Sequence, residues 1–163
     1  MIVVADTSPI HYLIQLGEAD LLPILYGEVL LPSAVIRELQ HPKASATVKR
    51  WLASLPTWIS VQLPIPNPDP YLAFLDPGER EAIQIAEEHR PSLLLLDEKR
   101  GRREAARRNL PFTGTLGVLA AADKIGRVDG VQAYARLISE TSFRSSDSLE
   151  KRFLEELRGT GRT

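Results

Sequence analysis

Acidic residues stand directly after two apolar runs of this sequence. The run Val3–Ala5 ends at Asp6, and the run Leu93–Leu96 ends at Asp97. Both runs have the length and composition of short buried strands, where a carboxylate is costly unless it has a partner. In open parallel sheets, ligands bind outside the carboxyl ends of the strands, which is where these two side chains are predicted to lie. The two aspartates are therefore the first candidates for a functional site.

Two glutamates are expected to join them. Glu38 lies at the edge of the apolar face of a predicted helix over Ser33–Gln40. In the predicted helix Pro77–Glu88, Glu79 falls on the same face as the apolar residues, whereas Glu81 is predicted to point to solvent. Helical periodicity therefore favours Glu79 over Glu81 as the third acid of the site.

Each acid also has a purely structural interpretation. Asp6 and Asp97 precede predicted helices, and aspartate is a favoured N-cap residue. The segment from Asp76 to Glu79 fits a capping box, with Pro77 at the first helical position. In that case Glu79 would only bond to the backbone amide of Asp76. The sequence leaves this alternative open.

Four clustered carboxylates imply a cation, because like charges in one crevice raise each other's pKa values unless a positive charge intervenes. Hard oxygen ligands without cysteine favour magnesium or manganese. Such ions suit phosphodiester hydrolysis, in which one ion activates water and a second, roughly 4 Å away, stabilises the leaving oxygen. We therefore predict that Mg²⁺ or Mn²⁺ is the cofactor, with the same residues as metal ligands and catalytic groups: Asp6, Glu38, Glu79 and Asp97.

Short apolar runs alternate with helical patterns along the chain, which is typical of an α/β domain around a parallel sheet. The predicted strands are Ile2–Ala5, Val29–Leu31, Trp58–Leu63, Ser92–Leu96 and Pro111–Phe112. The predicted helices run from Pro9 to Gly17 and from Leu21 to Gly27, then over Ser33–Gln40, Ala44–Leu55, Pro77–Glu88, Glu98–Asn109 and Thr115–Ile125. Two amphipathic helices within residues 130–158 are expected to pack on this unit, and the proline-dense segment Leu63–Pro70 is predicted to be a loop.

Composition limits the possible classes of protein. The 163 residues, with 44% hydrophobic and 25% charged side chains, predict a single globular domain over residues 1–163. Neither a signal peptide nor a membrane span is expected, and the absence of cysteine is compatible with a cytoplasmic location. The net charge of −1 means that a polyanion would need a local basic patch. With only 6% aromatic residues, the composition gives no indication of a base-stacking surface.

A basic patch is present next to one of the acids. The segment "DEKRGRREAARR" begins at Asp97 and is predicted to be an arginine-rich helix. Its cations could simply face solvent, partly balanced by Glu98 and Glu104. Alternatively they contact phosphates beside the acidic site, and we single out Arg100 and Arg103 as predicted phosphate contacts.

Several segments resemble the PIN domain, in the branch of short prokaryotic proteins similar to the DUF3368 family. They occur in order over nearly the whole chain: "VADTSPIHYL", "LPSAVIREL", "LDPGEREAIQIA", "LLLLDEKRGRREAARRNL", "FTGTLGVLAAADKIGRV" and "FRSSDSLEKRFLEEL". By position, Asp6 matches the first-strand acid of the family, Glu38 the first-half glutamate, Glu79 the mid-chain acid and Asp97 the last acid. The chain has "GERE" where related toxins usually carry an aspartate.

The resemblance implies a three-layer α/β/α sandwich with a mainly parallel sheet and a metal-dependent ribonuclease site. It also implies kinship with VapC-type toxins, and hence RNA as the substrate, a small antitoxin protein as a possible partner, and a homodimer. A leucine-rich segment, Glu18–Gly27, is compatible with such a dimer. Ser8, two residues after the first acid, and Thr115, in the "GTLG" segment after the last strand, join Arg100 and Arg103 as the predicted RNA contacts.

Two rival interpretations belong to other functional classes. One is a catalytically silent PIN domain that acts as an RNA-binding or protein-interaction module. The other is a phosphoryl-transfer protein with an acceptor aspartate at a strand end. The sequence argues against the second, because Asp6 is followed by Thr7 and Ser8 rather than by a second aspartate two residues on, and no glycine-rich phosphate loop is present.

Overall fold

A five-stranded, all-parallel sheet forms the middle of the fold. The structure is a computed structural model, and it describes residues 1–159. The strands lie in the order β3-β2-β1-β4-β5, with these bounds: β1 Ile2–Ala5, β2 Val29–Pro32, β3 Ile59–Gln62, β4 Ser92–Leu95 and β5 Phe112–Thr113. The chain builds outward from β1 to β3 and then returns to the other side of β1. The central position of β1 therefore makes its carboxyl end the switch point of the sheet.

Nine α-helices are present in the described residues, together with a 3₁₀ turn at Pro70–Leu72. They are α1 Thr7–Leu16, α2 Leu21–Tyr26, α3 Ser33–Leu39, α4 Ala46–Ala53, α5 Pro77–Glu88, α6 Lys99–Arg107, α7 Thr115–Lys124, α8 Gly130–Glu140 and α9 Asp147–Arg158. The predicted elements are confirmed within a few residues. None of the helices described is long and apolar enough to cross a membrane.

Alternate residues of the strands face two separate apolar clusters, which defines three layers. Val3 and Ala5 face the cluster that includes α1, α2, α7, α8 and α9, whereas Val4 faces the cluster formed with α5 and α6. This follows from the two-residue period of a strand, which sends successive side chains to opposite faces. The predicted α/β/α sandwich is confirmed.

The two C-terminal helices pack against the larger cluster. α8 and α9 contact α7, and α8 also contacts α1. Phe153 and Leu157 of α9 are buried there, as is Phe143 in the segment between the two helices. The last four residues of the predicted domain, 160–163, lie outside the described part of the chain.

The leucines of the Glu18–Gly27 segment are used within the chain. Leu21 and Leu22 are buried in the core, while Ile24 is 47% exposed. The apolar character of this segment is therefore largely explained by packing inside one chain, and it gives little support to the predicted homodimer.

One arginine of the basic helix region has a structural role. Arg108 lies just after α6 and is largely buried, and its guanidinium bonds to Glu87 at 2.9 Å, Asp69 at 2.7 Å and Glu104 at 2.7 Å. Arg107 also pairs with Glu104, at 2.6 Å. The carboxylates hold the pKa of Arg108 above its ordinary range. Its charge therefore holds α5, α6 and the loop before α5 together.

Candidate active site

The candidate site lies at the carboxyl end of β1, beside β4. The backbone N–H of Asp6 donates to the Leu95 carbonyl at 2.9 Å, which extends the pairing of these strands by one residue. Asp6 and Leu96 are thus opposite one another, and Asp97 comes one residue later. Because side chains alternate along a strand, Asp6 is directed to the α5 side of the sheet and Asp97 to the α7 side.

Asp6 is buried without full hydrogen bonding. Its side chain is 2% exposed, and Oδ1 has no hydrogen-bond partner. Burial raises the pKa of this carboxyl well above its usual range, and the nearby charges of Glu79, Glu38 and Asp97 raise it further, against a hydrogen bond from the Thr7 backbone. Asp6 stands at the N-cap position of α1 but makes no side-chain capping bond. Its capping interpretation is therefore wrong.

Glu38 is directed toward Asp6 by two donors. Its carboxylate accepts a hydrogen bond from the Thr7 hydroxyl and another from the Gly78 backbone N–H, at 2.9 Å. Gly78 permits a very close approach, because a Cβ atom there would lie 2.8 Å from Glu38 Oε2 and 2.9 Å from Asp6 Oδ1. Both carboxylates thus converge on the first turn of α5.

Glu79 adds a third carboxylate from the next residue of α5. Its side chain is 4% exposed, and Asp76 makes no side-chain capping bond at this helix. The capping box is therefore not formed. Burial raises the pKa of Glu79 to about 7, aided by the charges of Asp76, Glu98 and Glu38 and opposed by Arg100.

The prediction that Glu81 points to solvent is wrong. Its carboxylate accepts hydrogen bonds from the Ala34 backbone N–H at 2.8 Å and the Ser33 hydroxyl at 3.2 Å, and it pairs with Arg37 at 3.6 Å. Ser33 begins α3, so Glu81 satisfies amides that a helix leaves free at its N-terminus. Helical periodicity correctly predicted that Glu81 is not on the buried face of α5. It could not predict that α3 lies beside α5 and that Glu81 bonds to it.

Asp97 is a capping residue, but of a helix distant in sequence. Its two oxygens accept hydrogen bonds from the Thr115 backbone N–H and hydroxyl, both at 2.7 Å, at the start of α7. Arg102 lies close by, and its Nε donates to the Leu96 carbonyl at 2.7 Å. Burial raises the pKa of Asp97, while the Thr115 bonds and the Arg102 charge lower it. Gly114 is required here, because a Cβ atom would lie 2.4 Å from Asp97 Oδ1.

The predicted RNA contacts have different surroundings. Thr115 is fully buried against Asp97, so in this structure it positions that carboxylate rather than facing outward. Ser8 is half-buried in a cavity of about 280 Å³ that Thr7, Glu38, His41 and Lys43 also line. Arg100 and Arg103 are exposed, and Arg100 donates to the Phe74 carbonyl at 2.8 Å.

Sequence reasoning missed the residues that hold the acids in place. Thr7 and Gly78 bind Glu38, and Arg102 stands between Asp97 and the Phe112 ring, 5.4 Å from its centroid. Thr7 and Gly78 are each adjacent in sequence to a predicted acid, which was the available signal. Arg102 is one of six cations in its segment, and no feature of the sequence distinguished it from the other five. It lines a second cavity, of about 450 Å³, beside Asp97.

The donor set fits a divalent cation in its chemistry. Asp6, Glu38 and Glu79 offer hard oxygen ligands in the same region, and the unpartnered Oδ1 of Asp6 is the atom that most needs a positive partner. As the side chains stand, no group of three or more acids or histidines within residues 1–159 forms a site that could hold a metal ion. Binding would therefore require these carboxylates to move closer together.

Glu79 makes metal-free stability dependent on pH. Its pKa is about 7 in the folded protein and near its ordinary value of 4.5 when unfolded, so between these values the folded state binds more protons. The contribution of Glu79 to the free energy of unfolding should therefore fall as pH rises from 4.5 to about 7 and level off above, with a slope of at most about 1.4 kcal/mol per pH unit for this one group. The raised pKa of Asp6 acts in the same direction.

Urea unfolding in the presence of EDTA at a series of pH values measures this slope. Glu79→Gln should flatten the profile, whereas the matched substitution of an exposed glutamate, Glu140→Gln, should not. Stability of the wild-type protein that rises across the same pH range would contradict the burial of an uncompensated carboxylate.

Comparison with known proteins identifies a family for the chain. No curated protein and no solved structure matches the chain significantly. A profile of the DUF3368 family, described as a PIN domain, matches residues 2–158, which is nearly the entire chain. PIN domains are generally nuclease modules, and the acids at the switch point of this sheet lie within the matched region. The chain therefore belongs to the DUF3368 family of PIN domains.

Proposed function

We propose that this protein is a divalent-metal-dependent endoribonuclease, with RNA as substrate and Mg²⁺ or Mn²⁺ as cofactor. One observation carries the proposal: Asp6 is buried with an unpartnered oxygen, and the charges of Glu79 and Glu38 both act on its carboxyl group. A structural role does not account for this arrangement, because like charges placed together in the interior destabilise the fold. Membership of a family whose domains are generally nucleases supports the same conclusion.

Each residue has a definite task in this proposal. Asp6, Glu38 and Glu79 would hold the cation, which supplies an activated water and charge neutralisation at the phosphate. Thr7 and the Gly78 N–H keep Glu38 directed into the site. Thr115 and Arg102 hold Asp97 at the opposite side, where its carboxylate can orient water or accept a proton.

The alternative is a catalytically silent PIN domain that binds RNA or protein. One observation favours it: both oxygens of Asp97 are already occupied by Thr115, and the acids are not arranged to hold an ion as they stand. Metal titration by calorimetry together with an RNA cleavage assay separates the two. The silent domain would bind RNA but neither bind the metal tightly nor cleave.

The biological setting is proposed from the family alone. A PIN protein related to VapC-type toxins would work in the cytoplasm, form a homodimer and be neutralised by a small antitoxin. A small DNA-binding-type protein encoded next to this one would support the pairing, and sedimentation at micromolar concentration would measure the oligomeric state.

Asp6→Asn should abolish function while preserving the fold. An amide is an uncharged and weaker ligand, and loss of a direct ligand should weaken Mn²⁺ binding and RNA cleavage by at least about 100-fold, since even outer residues of metal sites contribute 10- to 100-fold. Calorimetry and a cleavage assay measure both. Asp20→Asn is the control, because Asp20 is exposed and makes no side-chain capping bond. Unchanged Mn²⁺ affinity in Asp6→Asn would reject the site.

Glu79→Gln should impair metal binding, whereas Glu81→Gln should impair stability. Glu79→Gln should weaken Mn²⁺ binding and cleavage sharply but leave or raise metal-free stability, because it removes a buried charge. Glu81→Gln should retain metal binding but lose about 1 kcal/mol of stability, because a neutral amide is a poorer acceptor for the α3 N-terminus. Calorimetry and urea unfolding measure the two effects. Loss of metal in Glu81→Gln with retention in Glu79→Gln would reverse the assignment.

Replacing Arg100 and Arg103 with glutamine should weaken RNA binding about equally for all sequences. The slope of log affinity against log salt should fall by roughly one unit for each lost phosphate contact. The control is Arg50→Gln combined with Arg136→Gln, which removes the same charge from α4 and α8 in the other layer. Equal salt slopes for the two double variants would show that Arg100 and Arg103 are solvated surface residues rather than phosphate contacts.

A further inference from the structure

Two aromatic side chains are exposed beside the basic helix α6. Tyr71 is 64% exposed and Phe74 is 76% exposed. The other aromatic residues in the described part of the chain are at least partly buried, so these two are exceptional. They lie in one short segment, which we call the aromatic turn, residues 69–75. Because the aromatic content of the sequence is low, composition did not indicate that two exposed aromatic residues lie in this segment.

The aromatic turn presents both rings on one side. Its backbone bonds run from Leu72 to Asp69, from Ala73 to Pro70 and from Leu75 to Leu72, which is the 3₁₀ pattern. In such a turn, side chains three residues apart share a face. Leu72 and Leu75 accordingly both enter the apolar cluster under α5, and Tyr71 and Phe74 both face outward.

One hydrogen bond within this turn and three contacts to arginines of the α6 region fix its position. Asp69 accepts a hydrogen bond from the Tyr71 backbone N–H at 3.0 Å, and its other oxygen pairs with Arg108 at 2.7 Å. Arg107 lies over the Tyr71 ring, 4.4 Å from its centroid. Arg100 donates to the Phe74 carbonyl at 2.8 Å. The Tyr71 ring and the backbone at Phe74 are therefore held in place, which lowers the ordering entropy that binding a ligand would cost.

The charge around the rings suits a polyanion. None of the ion pairs in residues 1–159 involves Lys99, Arg100 or Arg103, although all three are exposed on the first turns of α6. Arg100 also acts electrostatically on Glu79, so this cation lies between the aromatic turn and the acids. A ligand crossing this surface would meet rings, then positive charge, then carboxylates.

We infer that the aromatic turn is a base-stacking platform for single-stranded RNA, with Tyr71 and Phe74 each contacting a base while Arg100 and Arg103 contact the phosphates. Exposed rings combined with unpaired cations are the features by which proteins hold single strands without reading their sequence. Duplex RNA would not fit, because its bases are already stacked on each other. The inference rests on the proposed ribonuclease function and assigns its substrate class.

The test measures binding of fluorescein-labelled single-stranded oligouridine by anisotropy in EDTA, which prevents cleavage. Phe74→Ala and Tyr71→Ala should each raise Kd by roughly 5- to 150-fold, the range expected for loss of one stacked base. Phe74→Tyr and Tyr71→Phe keep a ring and should stay near wild type. Val131→Ala, which shortens an exposed apolar side chain of α8, is the control.

A matched abasic ribose-phosphate strand separates stacking from charge. The alanine variants should bind it as tightly as wild type does, because it offers phosphates but no bases. Their salt slope on oligouridine should also be unchanged. Equal losses on both strands, or an unchanged Kd on oligouridine, would overturn the inference and leave the rings as a surface for a protein partner.

A parallel cleavage assay of the wild-type protein with Mn²⁺ keeps the two proposals distinct. Cleavage of RNA together with unaffected binding in the alanine variants overturns the stacking platform alone. Ring-dependent RNA binding without any cleavage supports the platform and overturns the ribonuclease proposal.

Discussion

Negative charge buried at the carboxyl end of the central strand is the constraint around which this fold is arranged. Carboxylates from β1, α3 and α5 occupy one point of the interior, and the pKa values of Asp6 and Glu79 are raised as a result. The protein offsets only part of this cost, through the Thr7 hydroxyl and the Gly78 amide that bind Glu38. Carboxyl groups with raised pKa values are common at sites that act on ligands and uncommon in regions that serve stability alone.

The two faces of the sheet contribute differently to this site. On one face α7 binds Asp97 through Thr115, and the C-terminal helices α8 and α9 pack behind α7. On the other face α5 carries Glu79 and α6 carries the exposed cations. Because Asp6 and Asp97 are offset by one residue on neighbouring strands, the edge that carries these acids is flanked by both helical layers. A substrate lying across the edge could therefore contact elements from both helical layers at once.

The sequence was sufficient for the fold and for the general location of the acids, because both depend on regular patterns. The end of the first apolar run placed Asp6 at the carboxyl end of β1, and helical periodicity placed Glu79 on the buried face of α5. What could not be predicted depends on contacts between elements distant in the sequence. Three such contacts are the Glu81 bond to α3, the Asp97 bond to α7 and the ion pair that buries Arg108 while neighbouring cations stay exposed. The exposure of Tyr71 and Phe74 likewise depended on a 3₁₀ turn that composition does not reveal.

The Glu81 contact has a consequence for how the acidic site is maintained. Glu38 lies on α3 and Glu79 on α5, and Glu81 joins these two helices by bonding across to Ala34 and Ser33. The spacing of the two acids is thereby set by a rigid polar brace two residues from one of them, independently of any ion. A chain that lost its acids by substitution would keep this brace and the surfaces beside it. In the proposed ribonuclease, loss of cleavage and loss of architecture would thus be separable, and a descendant could lose the acids while retaining this contact between α3 and α5.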